Sequence, residues 1–174
     1  CKAVKKAVEK SGCGKEVKAI GFSGQMQGST FIDKDGKSIS NCMIWLDQRS
    51  TEQVNEINEI VSDADALRMT ANTCLNSFWA PKILWAKKYQ PEVYEKIDKV
   101  IFTKDYLRLR MTGEVATEVS DASLSFLLDV ANRKWSDEMY ERLGIPKSFA
   151  PKCLESCDVA GYLLESVAND WGLT

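Results

Sequence analysis

Near-continuous apolar segments alternate along this chain with amphipathic helical patterns, and this alternation most constrains its fold. Val17–Phe22 reads VKAIGF, which is typical of a strand buried on both faces. It follows a helical pattern that ends at Ser11-Gly12, where glycine favours the left-handed conformation that closes helices. A second apolar segment, Cys42–Leu46, precedes a helix that begins near Ser50. Strands covered by helices predict an α/β domain.

Turn and capping residues predict the remaining elements. Asp33-Lys34-Asp35-Gly36 separates two short apolar runs and predicts a hairpin. The other predicted elements are helices that begin at Pro81 and Pro91, a strand over Lys99–Phe102, a helix capped by Thr103 and ended by Gly113, and a helix capped by Ser136.

The absence of histidine excludes several catalytic classes. None of the 174 residues is histidine, so the chain by itself cannot provide a Ser-His-Asp triad, a Cys-His nucleophile or a His-ligated zinc. General-base chemistry therefore falls to a carboxylate. The sequence also lacks a complete Gly-rich phosphate loop and a dinucleotide fingerprint. We assign no catalytic residue and no metal ligand within the chain.

The charge and the cysteine content bear on partners and location. With 23 Lys and Arg against 25 Asp and Glu, the net charge is −2, which gives no global attraction to nucleic acid or to an anionic membrane surface. The six cysteines contain no Cys-x-x-Cys pair, so we expect reduced, mostly buried thiols and a cytoplasmic protein. No linker divides the chain, and its length and 44% hydrophobic residues fit one folded domain.

Polar clusters follow both predicted strands, at residues 24–28 and at Asp47–Arg49. Ligands gather beyond the strand ends in open α/β sheets, so we expect these clusters to form a site. Gln27 offers an amide donor and acceptor, Asp47 accepts, and Trp45 provides a flat apolar wall, which suits a small polyhydroxylated ligand. A purely structural interpretation is also open, in which Trp45 lies in the core and Asp47 caps the next helix.

The polar clusters lie within two longer segments, Ala19–Gly28 and Trp45–Arg49. Together with several further segments, these two resemble the FGGY carbohydrate kinases, and within that family its xylulokinases. The resemblance continues in family order, with matching gaps, from about residue 17 to residue 143. Its further segments are Ala80–Trp85, Lys104–Gly113, Ser120–Ser123, Leu128–Val130 and Trp135–Asp137.

The resemblance implies an α/β fold of the actin/Hsp70-like type, with a ribonuclease-H-like core and helical insertions, in which residues 1–174 belong to the N-terminal, sugar-binding domain. It implies transfer of the ATP γ-phosphoryl group to a hydroxyl of a ketose such as xylulose, or of a polyol, with Mg²⁺ as a cofactor. Both ATP and Mg²⁺ would bind mainly outside this chain, and a homodimer is compatible with the family. By position, the substrate-binding residues are Met26, Gln27, Trp45, Asp47 and Ser77.

Departures from the family pattern leave part of the function open. The Asp-x-Gly-Thr phosphate loop of the family is absent, and its catalytic Asp is expected beyond Thr174, so we expect an incomplete domain that is inactive by itself. Gln27 stands where xylulokinases usually have histidine, and Trp79 stands where the family usually has Ser or Thr. The alternative is a non-catalytic ligand-binding domain on the same scaffold, and an actin-like structural subunit is a third interpretation.

Overall fold

The computed structural model describes residues 2–173, which form a mixed α/β structure rich in helix. The helices are α1 (Lys2–Ser11), α2 (Thr51–Ile60), α3 (Asp63–Thr70), α4 (Trp79–Tyr89), α5 (Pro91–Tyr94), α6 (Thr103–Thr112), α7 (Val119–Ala122), α8 (Asp137–Arg142) and α9 (Glu165–Trp171). The strands are β1 (Thr30–Ile32), β2 (Lys99–Ile101), β3 (Ala116–Glu118), β4 (Leu128–Asp129), β5 (Lys134–Trp135) and β6 (Lys152–Leu154).

The strands pair in twos. β1 pairs antiparallel with β2, so that Phe31 lies opposite Val100. β3 pairs parallel with β6, with Thr117 opposite Cys153, and β4 pairs antiparallel with β5. All three residues of β1 are buried, so the β1–β2 ladder lies inside the molecule, and α6 starts from its end.

The main core packs residues of the β1–β2 ladder against helices α2, α4 and α8. Ile57 from α2, Ile83 from α4 and Met139 from α8 are all at most 1% exposed. Trp79, at the start of α4, stacks on Phe102 with 4.0 Å between ring centroids. The first turns of α4 are therefore enclosed by protein, and this helix positions one wall of the site described below.

Several local predictions are confirmed. Gly12 and Gly113 follow α1 and α6 with φ of 67° and 78°. The Ser136 hydroxyl accepts a hydrogen bond from the Met139 amide at 3.2 Å and caps α8. The predicted hairpin turn at Asp33–Gly36 is also present. Each of these features depends on the chemistry of a few consecutive residues.

Two predicted strands are wrong. Residues 17–22 form no strand and, apart from the half-buried Phe22, are exposed, because no segment within residues 2–173 pairs with them. Cys42–Leu46 has only an isolated bridge between Met43 and Ser29. A strand requires a hydrogen-bonded neighbour, and an apolar sequence does not by itself supply one.

The predicted helix starts are correct for some helices and displaced for others. α5 begins at Pro91 as expected, whereas α4 begins at Trp79, two residues before Pro81. Phe102, and not Thr103, is the N-cap of α6. The Asp105 carboxylate accepts a hydrogen bond from the Phe102 amide at 3.3 Å, so this cap depends on a side chain three residues farther along.

Two further features bear on the surroundings of the protein. Cys13, Cys42, Cys74, Cys153 and Cys157 are free thiols, and Cys1 lies outside the described residues. Of the five, only Cys74 is buried, so the expectation of mostly buried thiols is wrong for them. None of the helices within residues 2–173 combines the length and the apolar character needed to cross a membrane.

Candidate functional site

The first candidate segment is a tight turn at Met26-Gln27. Both residues have φ in the left-handed region, 62° and 55°, and such conformations cost about 1–3 kcal/mol for each non-glycine residue. At the next position, Gly28, a Cβ would clash with Thr103 Oγ1, so a larger residue there would displace the Thr103 hydroxyl. Gln27 is half-buried and Met26 is 54% exposed. The turn is therefore strained and held by its surroundings, as is common at functional sites.

The second segment carries Asp47. Its amide donates to the Ile44 carbonyl oxygen at 3.1 Å and closes a turn. Asp47 Oδ1 accepts hydrogen bonds from the backbone amide and the Nε of Arg49, at 3.1 and 2.9 Å. Burial raises the pKa of Asp47, but the hydrogen bonds from Arg49 outweigh it and hold the pKa below its ordinary value. Asp47 is ionised at neutral pH, and no donor within residues 2–173 hydrogen-bonds its second oxygen, Oδ2.

The purely structural interpretation of this segment is wrong for Trp45 and Asp47. Trp45 is 46% exposed and is not a core residue. The Asp47 side chain binds Arg49 and does not cap α2, whose N-cap, Ser50, makes no capping bond with its side chain. The Arg49 guanidinium lies over the Trp85 ring, 4.8 Å from its centroid. A cation over an aromatic face is attracted to it, so α4 helps to fix the partner of Asp47.

The third segment is the turn before α4, which contains the half-buried Ser77. The Phe78 amide donates to the Leu75 carbonyl oxygen at 3.0 Å and closes this turn. Asn76 Nδ2 donates to Gln48 Oε1 at 3.0 Å. This contact joins the third segment to the second.

One buried side chain contacts all three segments. Lys82 Nζ donates to the carbonyl oxygens of Gln27 at 2.9 Å, Ile44 at 3.1 Å and Ser77 at 2.7 Å. The residue is 0% exposed, and burial lowers its pKa to about 8. The backbones that carry the predicted site residues therefore meet at one point in the structure.

Sequence reasoning did not single out Lys82. The signal was present, because a lysine between Pro81 and Ile83 interrupts the apolar start of a helix. Lysine is almost never fully buried unless its charge is compensated. A lysine flanked by core residues could therefore have been marked as a candidate for a structural or functional contact.

The side chains of the three segments form a set suited to hydroxyl groups. The Asp47 carboxylate accepts hydrogen bonds, and the amide of Gln27 and the hydroxyl of Ser77 both donate and accept. The exposed Trp45 ring offers an apolar face. These are the kinds of group that recognition of a small polyhydroxylated molecule uses.

Trp79 belongs to the core and not to a pocket wall. It is 1% exposed, and its ring centroid lies 5.9 Å from that of Trp135. Its Nε1 donates to the Gly28 carbonyl oxygen at 3.4 Å. The indole thus fills space beneath the Met26-Gln27 turn and supports the turn from behind.

A separate cavity lies away from most of these residues. It has a volume of about 690 Å³ and runs along the exposed segment 17–24. Of the predicted site residues, only Met26 lines it. Its lining includes Lys104, whose Nζ lies 2.9 Å from Asp121 Oδ2 and 3.3 Å from Glu118 Oε1. We therefore base the candidate site on the three converging segments and not on the cavity.

Among residues 2–173, no three carboxylate or thiol side chains come together in an arrangement that could hold a metal ion. Near the cavity, Lys104 forms ion pairs with Asp105, Glu118 and Asp121. We therefore assign neither Mg²⁺ nor the phosphates of a nucleotide to any residue of this chain.

Comparison with known proteins gives consistent matches. The model of the N-terminal domain of the FGGY family of carbohydrate kinases matches residues 1–174. The xylulose kinase of Escherichia coli (strain K12) is 39% identical over 158 residues, which cover 91% of this chain and 32% of that kinase. The crystal structure of a "xyloylose kinase" from Brucella ovis matches with a TM-score of 0.89 and 32% identity, over 99% of this chain and 35% of that one.

A more distant structural match is the glycerol kinase of Plasmodium falciparum with ADP. It has a TM-score of 0.86 and 24% identity, over 97% of this chain and 35% of that one. The chain thus spans about a third of the length of the relatives it matches. The structural likeness confirms the predicted fold class, the α/β actin/Hsp70-like fold of the sugar kinases. By the match along its whole length, the chain belongs to the FGGY family of carbohydrate kinases.

Proposed function

We propose that residues 1–174 form the sugar-binding part of the N-terminal domain of an ATP-dependent carbohydrate kinase, which phosphorylates a hydroxyl of a ketose such as xylulose. The observation that carries the proposal is the convergence on Lys82 of the backbones of Gln27, Ile44 and Ser77. Support also comes from the 39% identity to a xylulose kinase. A polyol would use the same kinds of contact.

In this proposal the residues of the chain bind and orient the sugar. Asp47 is ionised and accepts hydrogen bonds from sugar hydroxyls through Oδ2. Gln27 donates and accepts, and Trp45 packs against the C–H face of the sugar. Phosphoryl transfer depends mainly on alignment and charge stabilisation. The contribution of this chain is therefore to hold one hydroxyl in position.

The remaining parts of the reaction are proposed to lie elsewhere in the full-length protein. ATP supplies the transferred phosphoryl group, and Mg²⁺ would accompany it, mainly outside this chain. The carboxylate that accepts the proton of the attacking hydroxyl is proposed to lie beyond Thr174. No residue of the chain is given a catalytic role.

The experiment that tests the proposal is a substrate panel with the full-length protein. Pentuloses, hexuloses and polyols are offered with ATP, and ADP release is measured with wild type and with Asp47→Asn. Asn keeps the shape of Asp47 but loses the charge and one acceptor. We expect kcat/KM for the preferred sugar to fall about a hundredfold, since hydrogen bonds to charged groups contribute about 1.5–3 kcal/mol.

The matched control is Asp63→Asn, the same change at an exposed residue in the first turn of α3. We expect its kcat/KM to stay within about twofold of wild type. A full-length protein that phosphorylates no member of the panel would contradict the kinase proposal. Sugar binding without turnover would favour the non-catalytic ligand-binding alternative.

The proposed setting is the cytoplasm, in a pathway of xylose or related sugar metabolism. The five free thiols of the described residues support a reducing compartment. The net charge of −2 gives no reason to invoke nucleic acid or a membrane surface. A homodimer is tested by light scattering on the same full-length sample.

A further inference from the structure

Lys82 is an unusual residue for the interior of a protein. It lies in the first turns of α4, between Pro81 and Ile83, and its side chain is completely buried. Buried lysines are normally paired with a carboxylate. No ion pair within residues 2–173 involves Lys82, however, and its ammonium must be stabilised in another way.

Four backbone carbonyl oxygens surround the ammonium. Lys82 Nζ lies 2.9 Å from the oxygen of Gln27, 3.1 Å from those of Met43 and Ile44, and 2.7 Å from that of Ser77. An ammonium has three N–H donors, so the four acceptors use its whole hydrogen-bonding capacity. The contacts are charge-assisted and enclosed by protein, which makes them strong.

Each acceptor belongs to a segment that carries a proposed sugar contact. Gln27 and Ser77 contribute their own carbonyl groups. The Ile44 carbonyl also accepts the amide of Asp47 at 3.1 Å, so the same oxygen anchors the turn that presents the carboxylate. Three segments that are distant in sequence are therefore fixed relative to one another through a single atom.

The contact between Lys82 and the Gln27 carbonyl also supports a strained part of the backbone. Met26 and Gln27 are both in the left-handed region, where such residues remain only if the surrounding structure holds them. The Gln27 carbonyl is held by Lys82 and the Gly28 carbonyl by Trp79. Without the ammonium, the turn would lose one of these two supports.

We propose that Lys82 is a positioning residue for sugar binding, whose ammonium holds the segments of Gln27, Asp47 and Ser77 in the arrangement that the sugar requires. The expected change in sugar kinetics rests on the proposed function. The coupling of the three segments through Lys82 does not depend on that function.

The test uses Lys82→Met in the full-length protein, because Met has similar length and no donor. We expect kcat/KM for xylulose to fall at least about tenfold while KM for ATP stays within about twofold. Amide hydrogen exchange should become faster in residues 26–28, 43–47 and 75–77 together. If Lys82 only stabilised the core, its replacement would not change the kinetics for xylulose relative to those for ATP. It would also not speed up hydrogen exchange in these three segments together.

The matched control is Ile83→Val, which removes one buried methylene from the next residue of the same helix. It should lower stability while leaving sugar kinetics and exchange in the three segments unchanged.

If Lys82→Met does not fold, Lys82→Arg replaces it. A planar guanidinium cannot reproduce four contacts made by one nitrogen atom, so KM for xylulose should still rise at least about fivefold.

The outcomes separate the two proposals. A wild-type protein that phosphorylates no sugar would overturn the proposed function, and the hydrogen-exchange comparison would still decide whether Lys82 couples the segments. A folded Lys82 variant with unchanged KM for xylulose, in an active kinase, would overturn the positioning role. Faster exchange in one segment only, or in none, would overturn the coupling.

Discussion

At the scale of single residues, Gln27 combines a strained backbone with a half-buried side chain that is proposed to contact the sugar. Its φ is 55°, its carbonyl is held by Lys82, and the side chain is half-buried. The backbone of Gln27 is therefore fixed by contacts that do not involve its side-chain amide. A substitution that keeps the backbone contacts should change what the site recognises more than it changes the fold.

We predict that Gln27→His in the full-length protein shifts the ranking of sugars more than it changes stability. Imidazole places its donor and acceptor differently from an amide and can become positively charged. Relative kcat/KM values across pentuloses, hexuloses and polyols should change by about tenfold, which corresponds to one hydrogen bond gained or lost. The measurement is the substrate panel together with the thermal midpoint.

The control for this prediction is Gln90→His at the C-terminal end of α4. This helix places Gln90 about 12 Å along its axis from Lys82, at 1.5 Å per residue. Its sugar ranking should match that of wild type. An unchanged ranking in a folded Gln27→His protein would remove Gln27 from the site.

At the scale of elements, local features were predictable from the sequence and tertiary ones were not. Gly113 and Ser136 end and begin helices through their own chemistry, and the structure confirms both. Residues 17–22 have a strand-like sequence but lack a pairing partner in residues 2–173. The role of Lys82 depends on three segments that meet only after folding. The residue types proposed for the site therefore come from the sequence alone, while the contact that brings their segments together could not be read from it.

Glu118 is a residue that supports a whole helix, α7. Its carboxylate accepts hydrogen bonds from the amides of Ser120 and Asp121 and caps α7. It also accepts from the Ser156 hydroxyl, next to β6. Burial raises the pKa of Glu118, but the hydrogen bonds from Ser156 and Ser120 outweigh it and lower the pKa to about 2. The ionised form thus joins α7 to the end of β6.

This cap predicts a defined acid sensitivity. The pKa of Glu118 is about 2 in the folded protein against 4.5 for the ordinary group, so the unfolded chain takes up the proton first as the pH falls. The stabilisation by Glu118 is therefore complete above pH 4.5 and is lost between pH 4.5 and about 2. We expect the difference in free energy of unfolding between wild type and Glu118→Gln to shrink across that range.

Urea denaturation at a series of pH values measures this difference. Other carboxylates titrate in the same range, and taking the difference between the two proteins removes their shared contribution. Glu114→Gln, an exposed change close in sequence, is the control. A difference for Glu118→Gln that does not vary with pH would contradict the cap.

At the scale of the whole molecule, the chain contains the residues proposed to bind sugar but lacks two phosphate-side motifs of the family. Gln27, Asp47 and Ser77 lie on segments joined through Lys82. No Asp-x-Gly-Thr or Gly-Asp-Asn segment occurs in the 174 residues, and residues 2–173 contain no cluster for a metal ion. The chain also spans about a third of the length of its relatives. In the proposed function, the chain therefore carries groups that hold the sugar, and the groups for phosphoryl transfer are proposed to lie outside it.

We predict that the 174-residue chain by itself phosphorylates no sugar, whereas the full-length protein does. Phosphoryl transfer requires that the donor phosphates, their counter-charges and the attacking hydroxyl be aligned together, and the chain supplies groups only for the hydroxyl. Coupled measurement of ADP release with ATP and the sugar panel compares the two proteins at equal concentration. Sugar-dependent ADP release by the 174-residue chain that disappears in its Asp47→Asn variant would contradict the prediction, because it would place the whole reaction within these residues.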